Sequence, residues 1–282
     1  MTLRSRLAGW SLAPLLLSSA LVGASEEAQL LTAINQYRSE VQRCAEKVSE
    51  ELPPLLQDTR LVLPVNGAGD LQQALSAAGY PMVNVQAISL SGPRDAQAAL
   101  QVLQDSFCQT LLDPQFVDIG ISRQARDWRI LLARPLLSAR LGDWQTEGER
   151  LRVQINAARA QARQCGAQAF AAAPALAWNA SLALAAESHS RDMANHNYFA
   201  HRDRDGRTPG DRAELAGYSG QRQGENIAAG RAAVADIVAG WLASPGHCAN
   251  LMNPQFSELG AAYAVDPKSD AGIYWTALFG AP

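Results

Sequence analysis

Two stretches of the chain repeat one spacing of apolar positions. In LLTAINQYRSEVQRC, Leu30, Ile34, Tyr37, Val41 and Cys44 fall at steps of 4, 3, 4 and 3. In LRVQINAARAQARQC the same steps separate Leu151, Ile155, Ala158, Ala162 and Cys165. A stripe at that period predicts an amphipathic helix with one face toward a core, each helix here ending at its cysteine. Further along, CQTLLDPQFVDIG sets Cys108, Pro114, Gln115, Phe116 and Gly120 at the relative positions of Cys248, Pro254, Gln255, Phe256 and Gly260 in CANLMNPQFSELG. A strand-like run follows each time, WRILLARP from Trp128 and WTALFGAP from Trp275. The tripeptide AGY recurs at 78–80 and 216–218. Order, spacing and residue type agree across three blocks, which identifies a tandem duplication. One unit covers 26–135, a second covers 147–282, and 136–146 links them.

The repeat also bears on the cysteines. Four cysteines allow three pairings. Cys44–Cys108 with Cys165–Cys248 is the one that treats both units alike. Each bridge would close a long loop, for which the chain-entropy account gives roughly 4 kcal/mol. The other reading of Cys248 is a reactive thiol beside His247. Disulfides imply an oxidising compartment, and the N-terminus agrees. MTLRSRLAGWSLAPLLLSSALVGAS begins with Arg4 and Arg6, has no acid before Glu26, and carries an apolar run from Ser11 to Val22 ahead of Val22-Gly23-Ala24. That order predicts a secretory signal over 1–24, cleaved near Ala24. The run is shorter than the roughly 20 residues that cross a bilayer. The expected product is exported, periplasmic or secreted, with no transmembrane anchor after cleavage. Cleavage would remove two of the 24 basic residues and none of the 27 acidic ones, shifting the formal net charge from −3 to −5. No polybasic run remains, which argues against nucleic acid as a partner.

All four histidines, at 189, 196, 201 and 247, belong to the second unit. Its cysteine-to-cysteine span is also the longer, with much of the surplus over ESHSRDMANHNYFAHRDRDGRTPGDR. Aligned on AGY and the shared cysteine, Gln86 takes the place of Glu225 and Phe107 that of His247, while His201 has no counterpart. Joint loss of a carboxylate and imidazoles predicts a site in the second unit and a dismantled copy in the first.

The second unit resembles the bacterial branch of the CAP superfamily, which groups cysteine-rich secretory proteins, antigen 5 and pathogenesis-related proteins. The resemblance runs through LAWNASLALAAESHSRDMANHNYFAH, GDRAELAGY, GENIAAG, VAGWLASPGH and NLMNPQFSELGAAYA. It implies an α+β fold of tandem α-β-α sandwich units, the first degenerate, with a cavity lined by histidines and acids. His201 and Glu225 match the family's first cavity histidine and first acid, and Asn226 completes the GEN motif. Ser244 stands where eukaryotic members carry a second acid. The eukaryotic second histidine is absent, and His247 of SPGH is taken as its substitute.

Two imidazoles and a carboxylate form a competent zinc set with an open position, so His201, His247 and Glu225 are candidate ligands for a divalent metal. The same groups form an acid–base set, with Glu225 the candidate catalytic residue. Set against both is a purely structural His–Glu pair. Three functions are expected from this. The first is a binding module for a small apolar ligand or an envelope protein, with or without a metal. The second is a metal-dependent hydrolase with Glu225 activating water. The third is an envelope scaffold. His189 is expected to be exposed or capping, and His196 to complement the helix end. Pro245 and Gly246 are expected to break a helix after Ala243 and to start a new one that presents His247. The Asp-x-Asp-Gly of HRDRDGRTPGDR lacks calcium-loop spacing and reads as a solvated loop, with Thr208-Pro209 opening a short helix.

Overall fold

A computed structural model describes residues 24–67, 69–137 and 141–282. All but the last residue of the expected signal lies outside that range. The first unit forms α1 (Glu26–Arg38), a hairpin of β1 (Arg43–Cys44) and β2 (Lys47–Val48), β3 (Leu56–Gln57), a 3-10 turn Thr59–Leu61, α2 (Leu71–Ala77), β4 (Met82–Ser91), α3 (Ala96–Leu111), β5 (Asp118–Gln124) and β6 (Asp127–Pro135). The second forms α4 (Trp144–Arg159), β7 (Arg163–Cys165), β8 (Gln168–Phe170), β9 (Ala177–Trp178), α5 (Ala180–His196), α6 (Pro209–Leu215), β10 (Arg222–Ala229), α7 (Val234–Ala243), α8 (Pro245–Met252), β11 (Glu258–Val265) and β12 (Ile273–Ala281). The two four-stranded sheets have one order, β3-β5-β6-β4 and β9-β11-β12-β10. In each, the first pair is parallel and the rest antiparallel.

The likeness extends to buried polar contacts. Asn35 holds both N and O of Leu55, as Asn156 holds both of Leu176. The guanidinium of Arg38 donates to the carbonyls of Pro53, Leu111 and Phe116, and that of Arg159 to Pro174, Leu251, Asn253 and Phe256. Tyr80 donates to Asp118 and Tyr218 to Glu258. A Cβ on Gly120 would meet Leu61 backbone at 2.3 Å, and one on Gly260 would meet Ala183 N at 2.0 Å. Glycine is demanded twice for the same close approach.

Alternation along the strands sorts the core into layers. Leu259 and Ala261 face the core built with α4, α7 and α8, whereas Ala262 packs against Leu182, Ala185 and Ala186 of α5. The second unit is therefore an α-β-α sandwich. In the first unit, Ile119, Ile121, Ile130 and Leu132 pack on α1 and α3. Its opposite face buries Leu61, Leu75 and Tyr80 over Leu131 and Ala133, with Leu63, Leu71, Met82 and Val85 partly buried beside them. Among the described residues, no helix equivalent to α5 covers it.

Both disulfides join the cysteines of one unit, Cys44–Cys108 and Cys165–Cys248, with Cα–Cα distances of 5.8 and 5.4 Å across 64 and 83 positions. The first helices do not reach those cysteines. They stop at Arg38 and Arg159, which turn inward to grip carbonyls, and the cysteines lie in the hairpins that follow. Val41 is 56% exposed, so the stripe continues in spacing but not in conformation. The break after Ala243 falls as expected, with Ser244 as N-cap and Pro245 in the first turn of α8.

Candidate functional site

Asn179 caps the start of α5 by accepting from Ser181 and Leu182 N–H. Asn197 ends that helix in the left-handed region at φ 54°. The chain reversal carries Tyr198 to His201 back along the sheet. Three contacts hold this loop: Tyr198 Oη donates to Asp192, His189 Nε2–H donates to Ala200 O at 2.9 Å, and Arg212 Nη1 donates to His201 O at 2.8 Å. His201 Nδ1–H then donates to Glu225 Oε1 at 2.8 Å. Arg212, from α6, donates to Glu225 Oε2 at 2.6 Å. Thr208 and Asp211 form a reciprocal cap that fixes α6, and with it this arginine.

Burial alone would raise Glu225. The hydrogen bond from His201 and the charges of His189, Arg212 and His201 outweigh it and hold the carboxyl below its ordinary value. Burial would lower His201, but its hydrogen bond to Glu225 and the charges of Glu225 and Glu50 raise it. His189 is 1% exposed, not a surface histidine, and burial lowers its pKa. Its position continues the buried stripe Leu182, Ala186, His189, Met193. It stands 4.0 Å from Glu225 and positions the His201 loop.

Successive strand residues point to opposite faces, so Asn226 faces α8 while Glu225 faces α6. Asn226 donates to His247 O and accepts from Asn250 Nδ2. His247 is 3% exposed, and its Nδ1 meets Ser244 Oγ at 2.9 Å. Burial, with the charge of His201, pushes its pKa down to about 3. Its Nε2 is buried without a partner. Ser244, itself fully buried, thus orients the imidazole. His196 is exposed and lies 2.8 Å from Asp192 near the end of α5.

A cleft of about 400 Å³ brings His201, Glu225, Asn226 and His247 together at the outer edge of β10. Its far wall is Val41, Glu50 and Glu51 of the first unit. Among the described residues, no group of three or more His, Cys, Asp or Glu side chains could hold a metal. Glu225 accepts from His201 and Arg212 on its two oxygens, and His201, Glu225 and His247 as arranged do not form such a group. In the first unit, Leu131 pairs with Ala87, and in the second Leu278 pairs with Glu225. The Trp128–Leu90 and Trp275–Ala228 pairs fix the equivalence of these ladders. Ala87, not Gln86, therefore occupies the place of Glu225, because the AGY-to-cysteine spans differ by two positions and the ladder settles where they fall. Sequence reasoning missed Arg212, Glu50 and Glu51, none of which belongs to a recognisable spacing.

Residues 154–279 match the CAP model, described as the cysteine-rich secretory protein family. The chain is 34% identical over 99 residues to the uncharacterized protein YkwD of Bacillus subtilis, covering 35% of this chain and 37% of that one. It is 38% identical over 93 residues to the uncharacterized membrane protein YlbC of the same organism, covering 33% and 26%. The matches thus span little more than a third of these relatives at most. An extracellular protein containing an SCP domain from Bacillus anthracis is similar at 18% identity and TM-score 0.43, covering 86% of this chain and all of that one. An outer surface protein of Borrelia burgdorferi is similar at 20% identity and TM-score 0.41, covering 48% and 92%.

Proposed function

We propose that this protein, whose residues 154–279 match the cysteine-rich secretory protein family, is an exported binding module whose cleft at His201, Glu225, Asn226 and His247 takes a small polar ligand. The observation that carries this reading is the His247 Nε2, buried in the cleft wall with no protein partner. An unpaired buried polar atom costs about 1–3 kcal/mol, a cost that a ligand hydrogen bond relieves. The cleft volume of about 400 Å³ suits a small molecule. Export is supported by the N-terminal pattern and two disulfides. No helix among the described residues is long and apolar enough to cross a membrane.

Binding is favoured over hydrolysis because a general base needs a pKa near the working pH. Glu225 accepts from His201 and Arg212 on its two oxygens, and its pKa is held down. The experiment is a thermal-shift screen of small polar compounds on wild type, His201→Ala and His247→Phe, the last copying Phe107 of the first unit. Hits that stabilise wild type and lose their effect in both variants support the reading. Hits indifferent to both variants, or turnover abolished by Glu225→Gln in a folded protein, would sink it.

A further inference from the structure

The cleft is shared between the two halves of the chain. Glu50 and Glu51 follow the β1–β2 hairpin of the first unit and line the wall facing His201 and His247. Glu50 Oε1 accepts from the His201 backbone N–H at 3.3 Å. Glu51 comes so near the start of α8 that a Cβ on Gly246 would lie 2.1 Å from its Oε2. Among the described residues neither carboxylate has a lysine or arginine within ion-pair distance, whereas Glu225 is matched to Arg212. Burial raises Glu51, with the charges of Glu50 and Glu40 acting the same way and that of His201 against it. Negative charge therefore gathers at this wall, with the imidazole of His201 as its nearby positive partner.

Hydrogen-bonding capacity points in the same direction. A neutral His247 whose Nδ1–H donates to Ser244 Oγ presents a lone pair at Nε2. Apart from His201 and the asparagines, the polar groups along the cleft wall are then acceptors: the carboxylate oxygens of Glu50 and Glu51, with this nitrogen buried behind them. An anionic ligand meets repulsion there, and a neutral hydroxyl leaves the charge unmatched. A guanidinium or primary ammonium group brings several N–H donors together with positive charge.

We propose that the cleft recognises an organic cation, a guanidinium or primary ammonium group, and that Glu51 and Glu50 of the first unit are its charge-recognising residues. The proposal rests on the reading of the cleft as a ligand site. The first unit, emptied of its own site, then supplies the carboxylates that Ser244 does not.

The test is calorimetric titration of the full chain after signal removal with agmatine, acetyl-Gly-Arg-Gly-amide, butylurea and zinc chloride. Butylurea keeps N–H donors but has no charge. Saturable binding of agmatine or the peptide is expected, with butylurea at least about tenfold weaker, since one charge-assisted contact is worth about a factor of ten. Glu51→Gln should weaken the cations about tenfold and leave the melting temperature within a degree or two. Tighter agmatine binding would mark a free small cation, and tighter peptide binding an arginine side chain. A fall in melting temperature with unchanged cation affinity, in Glu51→Gln and in the Glu50→Gln/Glu51→Gln pair, would overturn the proposal. The carboxylates would then only complement the start of α8. Equal binding of butylurea and agmatine, lost in His247→Phe, would overturn it and leave the binding module standing. Zinc binding lost in Glu51→Gln, with agmatine inert, would overturn it as well. Absence of binding by every probe removes it outright.

Discussion

The two units keep the same skeleton and differ on one face. Both have the four-stranded order, the inward asparagine on the first helix, the arginine that grips the turn before the PQF segment, and the tyrosine–carboxylate bond. These contacts satisfy backbone groups that the fold itself buries, so they are needed with or without a ligand. The second unit adds α5 and the loop that bears His201. The first replaces that layer with a 3-10 turn and α2, and its β4 is exposed along most of its length. Contacts shared by both copies serve the scaffold, and what only one copy has is where a separate function resides.

Four measurements would break or sharpen that division. The largest effect is expected from the shared arginines. Arg159→Met should cost about 4 kcal/mol in urea unfolding, since it strands several buried carbonyls. Arg38→Met should cost nearly as much. A much cheaper Arg38→Met would show that the two grips are not equivalent.

Next comes a pH effect confined to the second unit. His247 has its pKa depressed to about 3 in the fold, so the unfolded chain binds the extra proton between there and about 6.5. Stability from this group is complete above about pH 6.5 and is lost on acidification, by an amount of order 3 kcal/mol. His247→Phe should flatten the slope in that window, and an unchanged slope would refute the assignment. His201 acts in the opposite sense. Its contribution is full below its unfolded pKa and is lost as pH rises through its raised folded pKa.

Glu225→Gln should cost about 3 kcal/mol by leaving Arg212 without its counter-charge. It should also remove the alkaline decline due to His201. A stable Glu225→Gln would mean that the His201–Glu225–Arg212 cluster is not needed to hold the loop. The smallest effect is expected where the units touch. Arg231 pairs with Asp118 at 2.9 Å and also reaches Val117 O. Arg231→Gln should cost about 0.5–1 kcal/mol. A larger loss would make this contact a principal fastening between the units.

Much of the scaffold was legible because it is written twice. The PQF segments, the paired cysteines and the tryptophan-led strands each carried a spacing that one copy checked against the other. Arg38 and Arg159 could have been found the same way, since they hold equivalent places directly after the core stripe. The length of the first helices was misread because side chains at steps of 3 and 4 prove a helix only while the intervening backbone stays helical. His189 carried its own signal, lying on the apolar stripe of α5. His201, Glu225 and His247 were grouped from the sequence, and they line one cleft. Their arrangement was not legible there, because Arg212 reaches Glu225 through a cap-fixed short helix. Glu50 and Glu51 could not be found in principle, since they come to the cleft through packing between units.

The placement of the disulfides bears on how the chain matures. Each bridge closes inside one unit, and no bridge spans the junction. A polypeptide that emerges N-terminus first exposes Cys44 and then Cys108 before Cys165 emerges. The first pair can oxidise while no third thiol competes, and the second pair then meets no thiol but its own. Order of emergence alone selects the correct partners, so maturation of this chain should depend little on an isomerase that reshuffles mispaired bridges.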